Sequence, residues 1–148
     1  MQKVCHVTSV HDALDDRIYY KECLTLSEAG YKVFMVAPGE SFEKDGIQII
    51  GCGEQPESRY KRISQFCKTV FLKAVDVAAD VYHFHDPEML KYAAKLSKTG
   101  KVVIFDSHED VPAQILDKPW LPKFSRKFVS KSYSRLDPKY VKQLSGVI

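Results

Sequence analysis

Long apolar runs are missing from these 148 residues. No stretch approaches the roughly 20 residues that a membrane-spanning helix needs, and the chain enters a strand-like pattern at Lys3 with no signal-peptide pattern before it. Strong charge is also missing: a net charge of +3 is too small to argue for nucleic acid by itself. The four cysteines, Cys5, Cys23, Cys52 and Cys67, form no C-x-x-C and no paired zinc spacing. Cys5 falls in a buried-strand pattern, and Cys23 and Cys67 fall on apolar helix faces, so reduced thiols in a cytoplasmic protein are expected. No G-x-G-x-x-G follows the first strand, which argues against a dehydrogenase that binds NAD through this half. There is no internal repeat and no low-complexity segment. What remains is ordinary globular material, 45% apolar and 28% charged, long enough for one domain with a real core.

Strand and helix periods alternate along it. Lys3 to Ser9 is apolar and β-branched, a first strand. Asp15 to Ala29 has helical spacing, with Asp15 or Asp16 as N-cap and Gly30 as the stop. Lys32 to Ala37 and Ile47 to Ile50 read as the second and third strands. Arg59 to Asp76 places Ile63, Phe66, Cys67, Val70, Phe71, Ala74 and Val75 at helical spacing, a strong amphipathic helix. Asp80 to His85 is a fourth strand, Pro87 to Ser97 a helix with proline in its first turn, and Lys101 to Asp106 a fifth strand. A helical stretch from about Lys123 to Leu144 follows, interrupted near Pro138. The chain stops at Ser145-Gly146-Val147-Ile148, a turn and the start of a sixth strand, so a longer protein is expected. This alternation predicts an α/β fold: a Rossmann-like, doubly wound, mostly parallel sheet with helices on both faces. The commonest order for six such strands, 3-2-1-4-5-6, makes strands one and four neighbours across the switch point, where ligands bind.

All five histidines, His6, His11, His83, His85 and His108, sit in or just after strands one, four and five. The loops at His11 and at His85-Asp86-Pro87-Glu88 would flank one crevice, and strand five would bring His108 beside them. His83 and His85, two apart, share a sheet face. His83 and the mid-strand His6 are expected to be structural, whereas His85 lies at the strand end, within reach of a substrate. Asp86 and Glu88 suit a helix start, which also attracts phosphate or sugar oxygens. The dense polar run Asp106-Ser107-His108-Glu109-Asp110 reads as site rather than core. Asp16 and Arg17, after the first strand, are further candidates for ligand contact. His83, His85, Asp86, His108 and Asp110 are metal-ligand types. Two rings of a His-x-His on a buried strand, just before a helix-initiating proline, have few ways to share an ion, so no metal is expected.

The basic excess is local. Positions 118–142 hold six Lys and two Arg against one acid, Asp137, interleaved with Trp120, Leu121, Phe124, Phe128 and Val129. That suits either an anionic membrane surface or an ordinary amphipathic helix. No nucleic-acid recognition motif accompanies it.

Several of these segments together carry a likeness. Val7-Thr8-Ser9-Val10-His11, Asp16-Arg17-Ile18, Lys21-Glu22, Ala29-Gly30-Tyr31-Lys32-Val33, Asp80 to Glu88 and Asp106 to Pro112 resemble, in order and spacing, the N-terminal domain of family 4 glycosyltransferases, retaining enzymes of the two-domain GT-B fold. The resemblance covers nearly the whole chain. It implies that 1–148 is the acceptor-side domain, that a C-terminal domain supplies most of the donor site, and that the full-length protein moves a sugar from a nucleotide-sugar to a saccharide or lipid-linked acceptor. Polysaccharide or cell-envelope glycan synthesis in a bacterial-type enzyme is implied too, while peripheral contact with the inner membrane face is suggested by the basic, aromatic stretch 118–142 alone. His108 matches the family's histidine facing the reacting sugar. His11, Asp16, Arg17, His85, Asp86, Glu88 and Asp110 would then bind substrate. The family needs no metal or cofactor beyond the nucleotide-sugar co-substrate, and Asp-x-Asp is absent here. Where the family often carries Gly-Gly after strand one, this chain has His11-Asp12-Ala13-Leu14. The domain alone is not expected to turn over. Two other readings compete: a metal-dependent hydrolase built on the His and Asp residues, and a non-catalytic Rossmann-type nucleotide-binding module.

Overall fold

The computed structural model describes residues 1–107, 122–123, 125–126 and 138–148. Among these residues seven strands form one sheet: β1 (Lys3–Val7), β2 (Lys32–Ala37), β3 (Phe42–Lys44), β4 (Ile47–Gly51), β5 (Val81–Phe84), β6 (Val102–Phe105) and β7 (Gly146–Val147). Their order is β3-β4-β2-β1-β5-β6-β7, parallel throughout except for β3 against β4. Setting β3 aside, this is the doubly wound order expected, with the switch point between β1 and β5. The α/β, Rossmann-like expectation is therefore met. β3 was not anticipated, although its signal is present: Asp45-Gly46, both at positive φ (52° and 75°), is the dipeptide that closes a tight β-hairpin.

Period-two alternation divides the core. Cys5, Val7, Phe34, Val36, Tyr82, Phe84, Val103 and Phe105 point to one face. There they pack on the second helix, formed by Arg59–Lys61, Arg62–Phe66 and Cys67–Asp76, and on the third, formed by Pro87–Met89 and Leu90–Ser97. Val33, Met35, Ala37, Ile47 and Ile49 point to the other face, under the first helix, formed by Ile18–Cys23 and Leu24–Glu28. Cys5, Cys23 and Cys67 are buried free thiols, as the apolar faces implied.

The first helix opens at Asp15, whose Oδ1 accepts the N–H groups of Arg17 and Ile18 at 3.0 Å each. Of the two candidate caps, Asp15 is the one used. The helix closes at Gly30 (φ +90°), with Tyr31 N–H donating to the Leu26 carbonyl. Two segments, Ile18–Cys23 and Arg62–Phe66, are wound as π-helix rather than α-helix. Such widened turns recur at functional sites because they re-aim side chains. Here they carry Glu22 and Arg62, the helical residues that reach the strand ends. No helix among the described residues is long and apolar enough to cross a membrane. Of the basic stretch 118–142, only 122–123, 125–126 and 138–142 are among the described residues.

Candidate functional site at the carboxyl ends of the strands

Val7, Phe84 and Phe105 stand side by side in register, so the residues that follow them leave the sheet along one edge. Thr8, Ser9, His85, Asp86 and Asp106 come from that edge, and all are buried. Asp86 is its hub. Its Oδ2 accepts the Ser9 N–H at 2.6 Å, the Thr8 hydroxyl at 2.8 Å and the Ser9 hydroxyl at 3.4 Å. The Thr8 hydroxyl in turn accepts the N–H groups of Val10 and His11 at 3.3 and 3.0 Å, which fixes the β1 loop. Asp86 therefore ties the ends of β5 and β1 together across the switch point. It holds the N-cap position of the helix that starts at Pro87, as expected, but its side chain makes no bond to that helix. Burial raises its pKa, against the pull of the Ser9 N–H and the Thr8 hydroxyl.

His11 stands at the open rim. Its Nδ1 lies 3.4 Å from Asp15 Oδ2 and its Nε2 lies 3.4 Å from Asp86 Oδ1, with the side chain 30% exposed. Burial would raise the Asp15 carboxyl, but the N–H groups of Ile18 and Arg17 and the nearby His11 hold it below its ordinary value. Beside His11, over the carboxyl ends of β1, β2 and β4, opens a cleft of about 510 Å³ lined by Val10, His11, Asp12, Pro38, Glu54 and Glu57 among others. Gln55 fastens its wall by donating to the Ser9 carbonyl at 2.8 Å. The cleft lining is acidic.

Glu88 is committed elsewhere. Arg62 grips it fork to fork, Nε to Oε1 at 2.8 Å and Nη2 to Oε2 at 3.1 Å, and the Ser9 hydroxyl donates to Oε1 at 2.8 Å. The hydrogen bond to Glu88 raises the Arg62 pKa. Burial, then Glu88, pushes the neighbouring Cys67 thiol up to about 12.

Deeper along the edge, under the first helix, lies a second group. His6 and His83 face each other in register across β1 and β5, and His85 follows two residues on, on the same side. All three are buried. His6 Nδ1 lies 3.0 Å from His85 Nε2. Glu22 Oε2 reaches in from the first helix, to 3.6 Å from His6 Nδ1, 3.5 Å from His83 Nδ1 and 3.8 Å from His85 Nε2. Burial lowers the His6 pKa to about 3, aided by His83, and that of His83 to about 4 against the pull of Asp106. Burial followed by its two histidine neighbours also lowers that of His85. All three rings are neutral at pH 7. Arg17 spans the edge by pairing with Asp106, and its Nε lies 3.5 Å from Glu22 Oε1.

The candidates read from the sequence thus part company. His11 and Asp86 come together at the rim, and Arg17 joins the edge through Asp106. Asp16 is exposed. His85, expected within reach of substrate, is buried at 1% exposure because its ring turns under the first helix. His83, expected to be a satisfied core residue, leaves its Nε2 without a hydrogen-bond partner. His108 and Asp110 lie outside the described residues. Sequence reasoning missed His6, Glu22 and Arg62 as members of this edge. His6 needed the strand register, and the two helical residues needed the π-wound turns, neither of which the periodicity announces.

No family model matches the chain, and no curated protein matches it either. Among solved structures, it is similar to sucrose-phosphate synthase from Thermosynechococcus elongatus, with a TM-score of 0.68 at 11% identity over 99% of this chain. The chain spans 42% of the length of that protein. A second structure of the same synthase, of which 98% is covered, gives a TM-score of 0.52 at 11% identity over 93% of this chain. At such identity the likeness shows the fold alone, a Rossmann-like α/β domain.

Proposed function

We propose that the chain is the N-terminal, acceptor-side domain of a glycosyltransferase that moves a sugar from a nucleotide-sugar to a saccharide or lipid-linked acceptor with retention. A C-terminal domain would supply most of the donor site. The observation that carries this reading is the open cleft over β1, β2 and β4, with His11 held at its rim between Asp15 and Asp86. Ligands of open α/β sheets bind at this edge. An imidazole flanked by carboxylates offers the donors and acceptors that sugar hydroxyls require. Asp12, Glu54 and Glu57 would repel a phosphate in the cleft, so its occupant is better matched by a neutral, polyhydroxylated acceptor than by the donor's diphosphate. This agrees with the absence of a glycine-rich phosphate loop after β1.

In such an enzyme the transition state gathers charge on the leaving phosphate, and catalysis is positioning plus electrostatic stabilisation. His11 and Asp86 would orient the acceptor, and His108 would face the transferred sugar. The Asp86 tie between β1 and β5 keeps that orientation rigid. Cytoplasmic location, peripheral contact of the 118–142 stretch with anionic lipid, and a role in cell-envelope glycan synthesis belong to the same proposal.

The test uses the full-length protein with a panel of nucleotide-sugars and mono- and oligosaccharide acceptors. Transfer is expected, and His11→Ala is expected to lower kcat/KM for the acceptor at least tenfold with little change in the donor KM. No transfer from any nucleotide-sugar, or an unchanged acceptor KM in His11→Ala, would overturn the assignment. So would turnover by residues 1–148 alone.

A further inference from the structure

We propose that His6, Glu22, His83 and His85 form a closed, tetrahedral binding site for a divalent transition-metal ion, zinc by preference, that clamps the first helix to the sheet. The four donor atoms, His6 Nδ1, His83 Nδ1, His85 Nε2 and Glu22 Oε2, all lie within 4.8 Å of one another. The four separations that define the set most closely are 3.0, 3.5, 3.6 and 3.8 Å. A tetrahedron with Zn–N and Zn–O bonds near 2.0–2.1 Å has edges of about 3.3–3.4 Å. Those four of the six edges scatter around that value and the other two are within 4.8 Å, so the set closes on an ion by drawing the His83 ring inward.

The chemistry of the set points the same way. Three imidazoles and one carboxylate are ligands of intermediate softness, suited to zinc and poorly suited to magnesium or calcium, which take oxygen. Of the His6 Nδ1 and His85 Nε2 pair only one nitrogen can donate to the other, and a cation accepts the lone pairs of both. The other ring nitrogen of His85, Nδ1, has no hydrogen-bond partner, and Asp106 Oδ2, 3.6 Å behind it, is a group to which that N–H can turn on ligation. A carboxylate behind a ligating histidine commonly orients the ring. Arg17, bonded to Asp106 and 3.5 Å from Glu22 Oε1, holds both carboxylates in place.

Four protein ligands complete a tetrahedral shell and leave no position for water or substrate. That is the pattern of a structural ion rather than a hydrolytic one. It also makes sense of where the ligands come from. His6 and the His83/His85 pair belong to the two strands that flank the switch point, and Glu22 belongs to the helix covering them, so one ion joins three elements around the edge that carries His11. The inference does not depend on the glycosyltransferase reading, and each can fail alone.

The test is metal analysis and spectroscopy on the 148-residue chain. After EDTA treatment and dialysis, one equivalent of Co²⁺ should give the intense visible bands of four-coordinate cobalt, and Zn²⁺ should abolish them stoichiometrically and raise Tm. Glu22→Gln, a conservative change at the partly exposed ligand, should weaken Zn²⁺ binding at least tenfold, whereas Asp16→Asn should leave it unchanged. The cobalt spectrum needs no variant, so misfolding of a histidine mutant cannot obscure the result. Absence of the bands, the weak spectrum of six-coordinate cobalt, or equal Zn²⁺ affinity in Glu22→Gln would each overturn the site.

Discussion

Replacing Arg62 by methionine keeps the aliphatic stem and removes the guanidinium that neutralises Glu88. The Glu88 side chain is 5% exposed and that of Arg62 17%, so the pair is largely dry on the carboxylate side and wetter on the arginine side. Without Arg62, the carboxylate keeps the Ser9 hydroxyl at 2.8 Å and the Cys67 thiol at 3.5 Å as donors. Neither is charged. Breaking a buried pair from one side costs about 3–5 kcal/mol. Water entering past residue 62 discounts this, giving about 2–4 kcal/mol, a large share of the roughly 5–15 kcal/mol of a typical domain. Removing both partners in Arg62→Met/Glu88→Leu removes this ion pair whole, orphans the thiol and leaves the Ser9 hydroxyl with Asp86 Oδ2 at 3.4 Å, at about 1 kcal/mol. The double variant should therefore be more stable than Arg62→Met by at least about 1 kcal/mol, a coupling that additive effects cannot produce. Urea denaturation followed by circular dichroism measures it, with unchanged m-values as the check on two-state behaviour. A loss below about 1 kcal/mol in Arg62→Met, or a double variant as unstable as the two single changes added together, would refute the reasoning.

Other outcomes follow from the same geometry. Gly51→Ala would put a Cβ 2.2 Å from the Gly39 carbonyl oxygen and 2.3 Å from the Glu40 carbonyl carbon, both backbone atoms that cannot swing aside; a loss of about 2 kcal/mol or more is expected in the same assay. Ala78→Gly should stabilise by about 0.5–1 kcal/mol, because Ala78 ends the second helix at φ 51°, where glycine has no Cβ penalty; an unchanged or lower midpoint would count against it. In metal-free protein, His6 and His83 take up protons more readily unfolded, near the ordinary value of 6.5, than folded, near about 3 and about 4. Their contribution to stability is therefore intact above pH 6.5 and is lost as pH falls from there toward 3. A urea midpoint independent of pH between 6.5 and 4 would show that these rings are not buried neutral.

Much of this molecule follows from its sequence because the signals are local. Val4-Cys5-His6-Val7, Val33-Phe34-Met35-Val36 and Val102-Val103-Ile104-Phe105 are short, mostly apolar runs separated by helical spacing, and a chain of that pattern buries both faces of its strands in a parallel sheet covered by helices, which at this length is a doubly wound one. The switch point between β1 and β5, and with it the meeting of His11 and Asp86, came with the strand order. The shared face of His83 and His85 came with period two. Even the unanticipated β3 was announced by Asp45-Gly46.

What the sequence could not reveal is how far each of those side chains sits from solvent and from its neighbours. Strand register, a non-local quantity, put His6 opposite His83. The widened turns at Ile18–Cys23 and Arg62–Phe66 aimed Glu22 and Arg62 at the strand ends, although neither residue stands out in its helix pattern. The closing of the first helix over His85 buried a ring that the sequence had placed within reach of substrate. Local patterning sets which elements form and in what order, whereas the distances that decide whether three imidazoles and a carboxylate are core, ligands or catalyst arise only when elements far apart in the chain pack together.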